Sequence, residues 1–332
     1  MSAEAASAAE RSAYVAGVRA GERRRVAKAI TLLESTRADH AALAQAVLEE
    51  LVPFTGRSVR LGITGAPGVG KSSFIETFGL HLVEAGHRVA VLAVDPSSPV
   101  TGGSILGDKT RMERLAADPR AFIRPSPSGG SLGGVAHRTR EAMLVCEAAG
   151  FDVILVETVG VGQSEVAVAS MVDCFCVLLQ PSSGDELQGI KKGVIELADL
   201  IVVNKADGDG AAAAERTRSQ YAAALALLRH ASSAWSPPVL CASALVGTGI
   251  DVVWQTVRAH RTALEASGEF ASKRRGQAKA WMWSLIEEGL HEAFRSHTAV
   301  RERIPVLERE VEAQKTTPAA AARALLAAFA RR

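Results

Sequence analysis

The sequence predicts an α/β fold, a mostly parallel central sheet flanked by helices on both faces, with helical segments before and after it. Three observations carry this. Six Val/Ile/Leu-rich runs, each four to seven residues long, recur between Ser58 and Cys241. They are apolar nearly throughout rather than alternating, as strands buried on both faces are. Stretches long enough for a helix separate most of them, as parallel strands require. The first run also leads into a glycine-punctuated loop at 65–72 with a helical pattern behind it, the arrangement of a phosphate-binding strand–loop–helix unit.

The chain of 332 residues, 48% apolar and 22% charged, can bury a sizeable core. Its 38 Lys and Arg nearly balance 36 Asp and Glu. That net charge of +2 argues against a general nucleic-acid or anionic-membrane binder. No apolar run reaches the ~18 residues of a membrane helix. Four cysteines in apolar stretches fit a reduced, cytoplasmic protein. The N-terminus lacks a secretory apolar core, and Glu4 and Glu10 weaken a transit-peptide reading.

Residues 1–57 read as a helical extension: Val26, Ile30 and Leu33, then Leu43, Val47 and Leu51, recur at helical spacing, and Pro53 and Gly56 close the segment. The run Arg23-Arg24-Arg25 reads as a solvated helix face, with a partner or phosphate contact as the sharper alternative. Residues 58–267 form the α/β domain, with strands at 58–64, 88–94, 152–156, 173–179, 199–203 and 238–241. Residues 268–332 are helical again, with Trp283, Ile286, Leu290 and Phe294 on one stripe. That stripe is more apolar surface than a lone helix should expose, so part of it is expected to meet a second subunit. Pro305 is expected to start a further helix, and Thr317-Pro318 to cap and open another.

The motif Gly65-Ala66-Pro67-Gly68-Val69-Gly70-Lys71-Ser72, followed by Ser73, has the spacing of a phosphate-binding loop. Its glycines let successive N–H groups face phosphates. Lys71 is placed to reach the β- and γ-phosphates and Ser72 to bind Mg²⁺. Asn204-Lys205-Ala206-Asp207 follows the strand 199–203. A carboxylate at 207 accepts from guanine N1–H and N2–H₂ together, a donor pair that adenine lacks. Ser243-Ala244, after the strand ending at Cys241, sits where a backbone amide meets guanine O6. Glu157-Thr158-Val159-Gly160 closes another strand, with Glu157 as a candidate metal-side acid and Gly160 as a candidate γ-phosphate contact, a plain strand-to-helix turn being the alternative. Asp95 and Asp108 are further candidates for holding Mg²⁺ or orienting water, each with a plain turn or capping role as its alternative. Arg111 is a candidate internal cation. Val161 stands directly after Gly160, and Gln163 comes two residues on, so no water-orienting residue is assigned here. A slow intrinsic rate raised by a partner is the expectation. Cys174 and Cys176 read as core residues, and His81, His87 and His137 as packing or surface residues.

The motifs GAPGVGKS, VDPSSP, LGDKTRM, ETVGVGQSE, QPSSGDELQGIKKG and NKAD, in this order, resemble the MeaB/ArgK family of P-loop GTPases over residues 10–330. The resemblance implies a P-loop NTPase fold with a C-terminal helical dimerisation arm and a homodimer. It implies GTP and GDP as ligands with Mg²⁺, and a chaperone of adenosylcobalamin-dependent methylmalonyl-CoA mutase. That chaperone gates cofactor delivery from the cobalamin adenosyltransferase and protects or reactivates the mutase. It puts Lys71 and Ser72 on phosphates and metal; Asp95, Asp108 and Glu157 around metal and water; and Asn204, Lys205 and Asp207 on the base. Residues 180–193 become a partner-facing switch with Asp185 and Lys191 as polar contacts. Three other readings compete: a nickel or cobalt metallochaperone GTPase of the same fold, a transport-associated kinase, and a module that binds nucleotide without turnover.

Overall fold

A computed structural model describes residues 3–35, 37–94, 112–125, 132–158, 164–181, 192–227 and 232–330. These fall into two units, Met1–Arg275 and Gly276–Arg332. In the first, the described strands are β1 (Val59–Gly65), β2 (Val89–Val94), β3 (Ala121–Arg124), β4 (Val153–Thr158), β5 (Cys174–Leu179), β6 (Leu200–Val203) and β7 (Val239–Cys241). They form one seven-stranded sheet in the order β3-β2-β4-β1-β5-β6-β7. Every pairing is parallel, with registers such as Leu61 opposite both Leu155 and Cys174. The sheet is thus wholly parallel rather than mostly so. β3, with the sequence AFIR and only four residues long, is an edge strand that the apolar-run pattern did not reveal.

The described helices are α1 (Ala3–Arg19), α2 (Arg23–Leu33), α3 (Ala38–Leu51), α4 (Lys71–Glu84), α5 (Glu113–Ala117), α6 (Leu132–Ala148), α7 (Ser164–Ala169), α8 (Lys192–Glu196), α9 (Ala211–Leu225), α10 (Ile250–Ser267), α11 (Glu269–Ser296), α12 (Thr298–Glu312) and α13 (Pro318–Ala330). The parallel sheet needs cover on both faces, and it has two cores. One cluster joins Ala90, Ile154, Val156, Phe175 and Val177 to α6 and to Val18, Val26, Ile30, Val47 and Leu51 of the N-terminal helices. The other joins Leu61, Ile63, Leu155, Cys174 and Cys176 to Phe74, Phe78, Val253 and Trp254 of α4 and α10. Cys174 and Cys176 are therefore core residues, as the sequence led us to expect. Arg23 lies exposed, donating to the carbonyls of Ala116 and Asp118 at 3.4 Å each.

The amino-terminal ends of the central strands are tied by ion pairs. Arg60 of β1 makes a fork to Glu147 of α6, both bonds 2.9 Å, while the Gly56 amide also donates to Glu147 at 2.8 Å and the Ser58 hydroxyl donates to it too. Arg274 donates to both oxygens of Asp173, 2.8 and 2.7 Å, and to the Ser58 carbonyl, 2.8 Å. Lys273 reaches the Asp173 carbonyl at 2.6 Å and Asp199 at 3.1 Å. Such satisfied pairs fix register at the end of the sheet away from the glycine-rich loop.

In the second unit, α12 and α13 pack on each other, with Val300, Ala321 and Ala328 buried. Phe329 meets Phe294 and His297 edge-on, centroids 5.4 Å apart in each case. Pro305 lies inside α12 instead of starting it. The helix already begins at His297, whose carbonyl accepts from Val300 at 3.0 Å and Arg301 at 2.9 Å, with Val300 buried behind it. Thr317 does cap α13: its hydroxyl accepts from the Ala320 amide at 3.2 Å. The stripe on α11 is exposed in the single chain, Trp283 by 53% and Leu290 by 56%.

Candidate functional site

The loop between β1 and α4 takes its shape from glycine. Gly70 has φ +91°, where an L side chain is strained, and a Cβ there would meet the Asn204 amide nitrogen at 2.9 Å. At Gly65 a Cβ would lie 2.6 Å from the Leu178 carbonyl, so β5 can run this close only beside glycine. The Phe74 amide donates back to Gly70 at 2.9 Å, starting the helix whose positive end faces the loop. The Lys71 ammonium is folded over the loop and donates to the carbonyls of Gly65, 2.7 Å, and Ala66, 3.3 Å. Burial pulls its pKa below the ordinary lysine value, against the carboxylates of Glu157 and Glu165, which favour its charge.

Three strand ends are drawn to this loop. From β4, the buried Glu157 accepts from the Ser72 hydroxyl at 3.4 Å. Beside it, the buried hydroxyls of Thr158 and Thr64 bond at 2.7 Å and tie β4 to β1. After β6, the buried Asn204 works as a bracket. Its amide nitrogen donates to the Val69 carbonyl at 2.9 Å, and its side-chain oxygen accepts from the Ala244 amide at 3.1 Å. Lys205 holds the left-handed conformation at φ +60° and donates to the Gly68 carbonyl at 2.8 Å. That conformation costs a non-glycine residue energy and clusters at functional sites. After β7, the Ser243 hydroxyl donates to Asp207, fixing one carboxylate oxygen. Four segments distant in sequence thus meet: a glycine-rich anion cradle on a helix N-terminus, a hydroxyl–carboxylate pair, and an Asn/Asp pair braced against a backbone amide.

The chain as a whole carries a family pattern: residues 26–299 fit the model of the methylmalonyl Co-A mutase-associated GTPase MeaB. The chain belongs to the MeaB family of GTPases. Its MeaB-type relatives include the GTPase ArgK of Escherichia coli strain K12, 54% identical over 82% of this chain and 82% of the relative. Another is a mouse protein named methylmalonic aciduria type A homolog, mitochondrial, 50% identical over 94% of this chain and 78% of the relative. A solved structure of an LAO/AO transport system kinase superposes with a TM-score of 0.76 at 41% identity, covering 96% of each chain. With the wholly parallel sheet and the phosphate loop, this establishes a P-loop NTPase fold and GTP hydrolysis as the activity.

Within this MeaB-family chain, the residues Gly65 to Ser73, Glu157, Asn204, Lys205, Asp207, Ser243 and Ala244 lie in the described structure around the site. Asp95, Asp108, Arg111, Gly160, Asp185 and Lys191 lie outside the described residues. Three residues, Thr64, Thr158 and Thr77, were given no role from sequence. Thr64 and Thr158 flank the loop as ordinary strand residues, and only their register in the sheet reveals the pair. Thr77 is an interior helix residue whose hydroxyl donates to the Ala244 carbonyl at 2.7 Å. No sequence pattern signals it.

Proposed function

We propose that this GTPase is a chaperone of adenosylcobalamin-dependent methylmalonyl-CoA mutase, gating delivery of the cofactor and protecting or reactivating the mutase. The observation that carries the reading is the match of residues 26–299 to the family of a mutase-associated GTPase. The name of the mouse relative points the same way. The glycine loop from Gly65 to Ser73 would cradle the phosphates. Lys71 would exchange two loop carbonyls for β- and γ-phosphate oxygens and neutralise charge that grows in the transition state. The Ser72 hydroxyl and the Glu157 carboxylate are hard oxygen donors 3.4 Å apart, a set that suits Mg²⁺. The ion would be held by these two, with Asp95 and Asp108 as further candidates, and it supplies charge neutralisation at the phosphates. Asp207, steadied by Ser243, would accept from guanine N1–H and N2–H₂, and Asn204 would hold the base-reading loop against the phosphate loop.

Gly160 is assigned to the γ-phosphate and Arg111 to the developing charge. Residues 180–193, with Asp185 and Lys191, would report the nucleotide state to the mutase. The exposed stripe of α11 would build a homodimer. All four cysteines are free thiols, as a reducing compartment keeps them, and the reading places the protein in the cytoplasm. The cobalamin adenosyltransferase is the second proposed partner.

The likeness to a solved LAO/AO transport system kinase supports one second reading, transfer of the γ-phosphate to an acceptor protein. One experiment separates the two: γ-labelled GTP incubated with this protein, with and without mutase. The chaperone reading expects label in free phosphate, released faster with mutase present. Label on protein, with no effect of mutase, would favour the kinase.

A further inference from the structure

We propose that Thr77 is a positioning residue for guanine recognition: its hydroxyl sets the orientation of the Ala244–Leu245 peptide unit beside the base. The inference rests on the assignment of Asn204 and Asp207 to the base and deepens it. Thr77 stands six residues after Lys71, on the helix that starts at the phosphate loop. Threonines inside helices commonly turn their hydroxyl onto the carbonyl four residues back. Thr31, Thr139, Thr256 and Thr262 of this chain all do so, at 2.8 to 3.0 Å. Thr77 instead donates across the fold to the Ala244 carbonyl at 2.7 Å.

The loop it reaches is buried at Ser243, but its tip is held by hydrogen bonds rather than by side-chain packing. Leu245 and Val246 are exposed by 85% and 63%. The Ser243 amide donates to the Thr248 carbonyl and the Gly247 amide to the Ser243 carbonyl, both at 2.9 Å. These close the turn on itself. The Ser243–Ala244 peptide unit is fixed at both ends, its carbonyl by Gly247 and its N–H by Asn204. The next unit is fixed through its carbonyl by Thr77. The described peptide bonds are trans, and a trans unit points its C=O and N–H in opposite directions. Holding the Ala244 carbonyl therefore also holds the Leu245 N–H.

Guanine presents an acceptor at O6, where adenine presents an amino donor. A backbone N–H discriminates between them only if its peptide unit cannot turn its carbonyl toward the base instead. Thr77 blocks that turn from a helix that the phosphates also anchor, so base reading and phosphate binding share one rigid element.

The test uses the full chain with Thr77→Val, which keeps the shape and removes the hydroxyl, and Thr77→Ser, which keeps the hydroxyl. Asp207→Asn serves as the control for base reading. Thr77→Val is expected to raise the KM for GTP about three- to tenfold, the usual weight of one neutral hydrogen bond, and to lower the preference for GTP over ATP by the same factor. The kcat and inhibition by inorganic triphosphate, which has no base, stay at wild-type values, and Thr77→Ser restores the KM. Wild-type KM and preference in Thr77→Val, beside a control that shifts toward XTP, would overturn the proposal alone. So would loss of kcat and of triphosphate inhibition that Thr77→Ser does not rescue, since the residue would then be structural. If Asp207→Asn keeps the wild-type preference for GTP, the base assignment fails, and the proposal falls with it.

Discussion

Lys71 and Asp207, to which the proposal gives charge neutralisation and base choice, were both legible as residues. A lysine after two spaced glycines and an aspartate closing N-K-x-D have few structural reasons to occur in that order on one chain. The structure supplies the supports behind them. Lys71 rests on two loop carbonyls, and Asp207 is braced by the Ser243 hydroxyl. Thr77 and the Thr64–Thr158 pair stayed hidden because an interior threonine has the same pattern whether it bonds its own helix or another loop. Lys71→Ala is expected to abolish turnover while circular dichroism and the unfolding midpoint stay near wild type. Asp207→Asn presents one acceptor and one donor, which matches the xanthine edge in place of guanine. Competition of GTP and XTP against a fluorescent nucleotide should show the preference moving by about tenfold or more, as mismatched polar contacts cost roughly 1–3 kcal/mol each.

At the level of elements, the apolar runs revealed six strands because parallel strands buried on both faces leave little room for polar residues. β3 escaped, since four residues at a sheet edge with an arginine at one end are too short for a pattern. The tie at the base of the sheet was also illegible, because Arg60 and Glu147 are 87 residues apart and only the fold joins them. Burial pushes the Glu147 carboxyl up, but the Arg60 fork, the Ser58 hydroxyl and the Gly56 amide outweigh it and hold it below the usual value. Burial likewise opposes Asp199, yet His260 and Lys273 hold it low. Carboxyls depressed in the folded state contribute stability above their unfolded pKa, roughly 4 to 4.5, and lose it as pH falls through their folded values. Urea midpoints are therefore expected to show no loss from these groups between pH 7 and about pH 5, and to fall below about pH 4.5. Glu147→Gln should flatten part of that slope and cost about 3–5 kcal/mol at pH 7, because Arg60 loses its buried partner. A slope unchanged by the substitution would show that the pair contributes nothing to acid lability.

The sheet brings the candidate site to the carboxyl ends of β1, β4, β6 and β7, with the ion pairs at the opposite ends, the usual division of labour in an open parallel sheet. The order of the strands could not be read from the sequence, because buried parallel strands all look alike. The division into units at Arg275 and Gly276 falls inside one continuous helix, α11, so no change of pattern marks it. Of the stripe read from the sequence, Trp283, Ile286 and Leu290 are exposed, whereas Phe294 packs against Phe329. If the stripe builds a homodimer as proposed, wild type is expected to sediment as a dimer, and replacing Trp283 and Leu290 together by glutamate to yield a monomer that still binds GTP. The central claim, a GTPase that answers to a mutase, meets its most direct test in phosphate release from GTP with and without holo-methylmalonyl-CoA mutase. The expected result is phosphate release that is faster with the mutase than without it, and absent in Lys71→Ala. Equal rates with and without the mutase would contradict it.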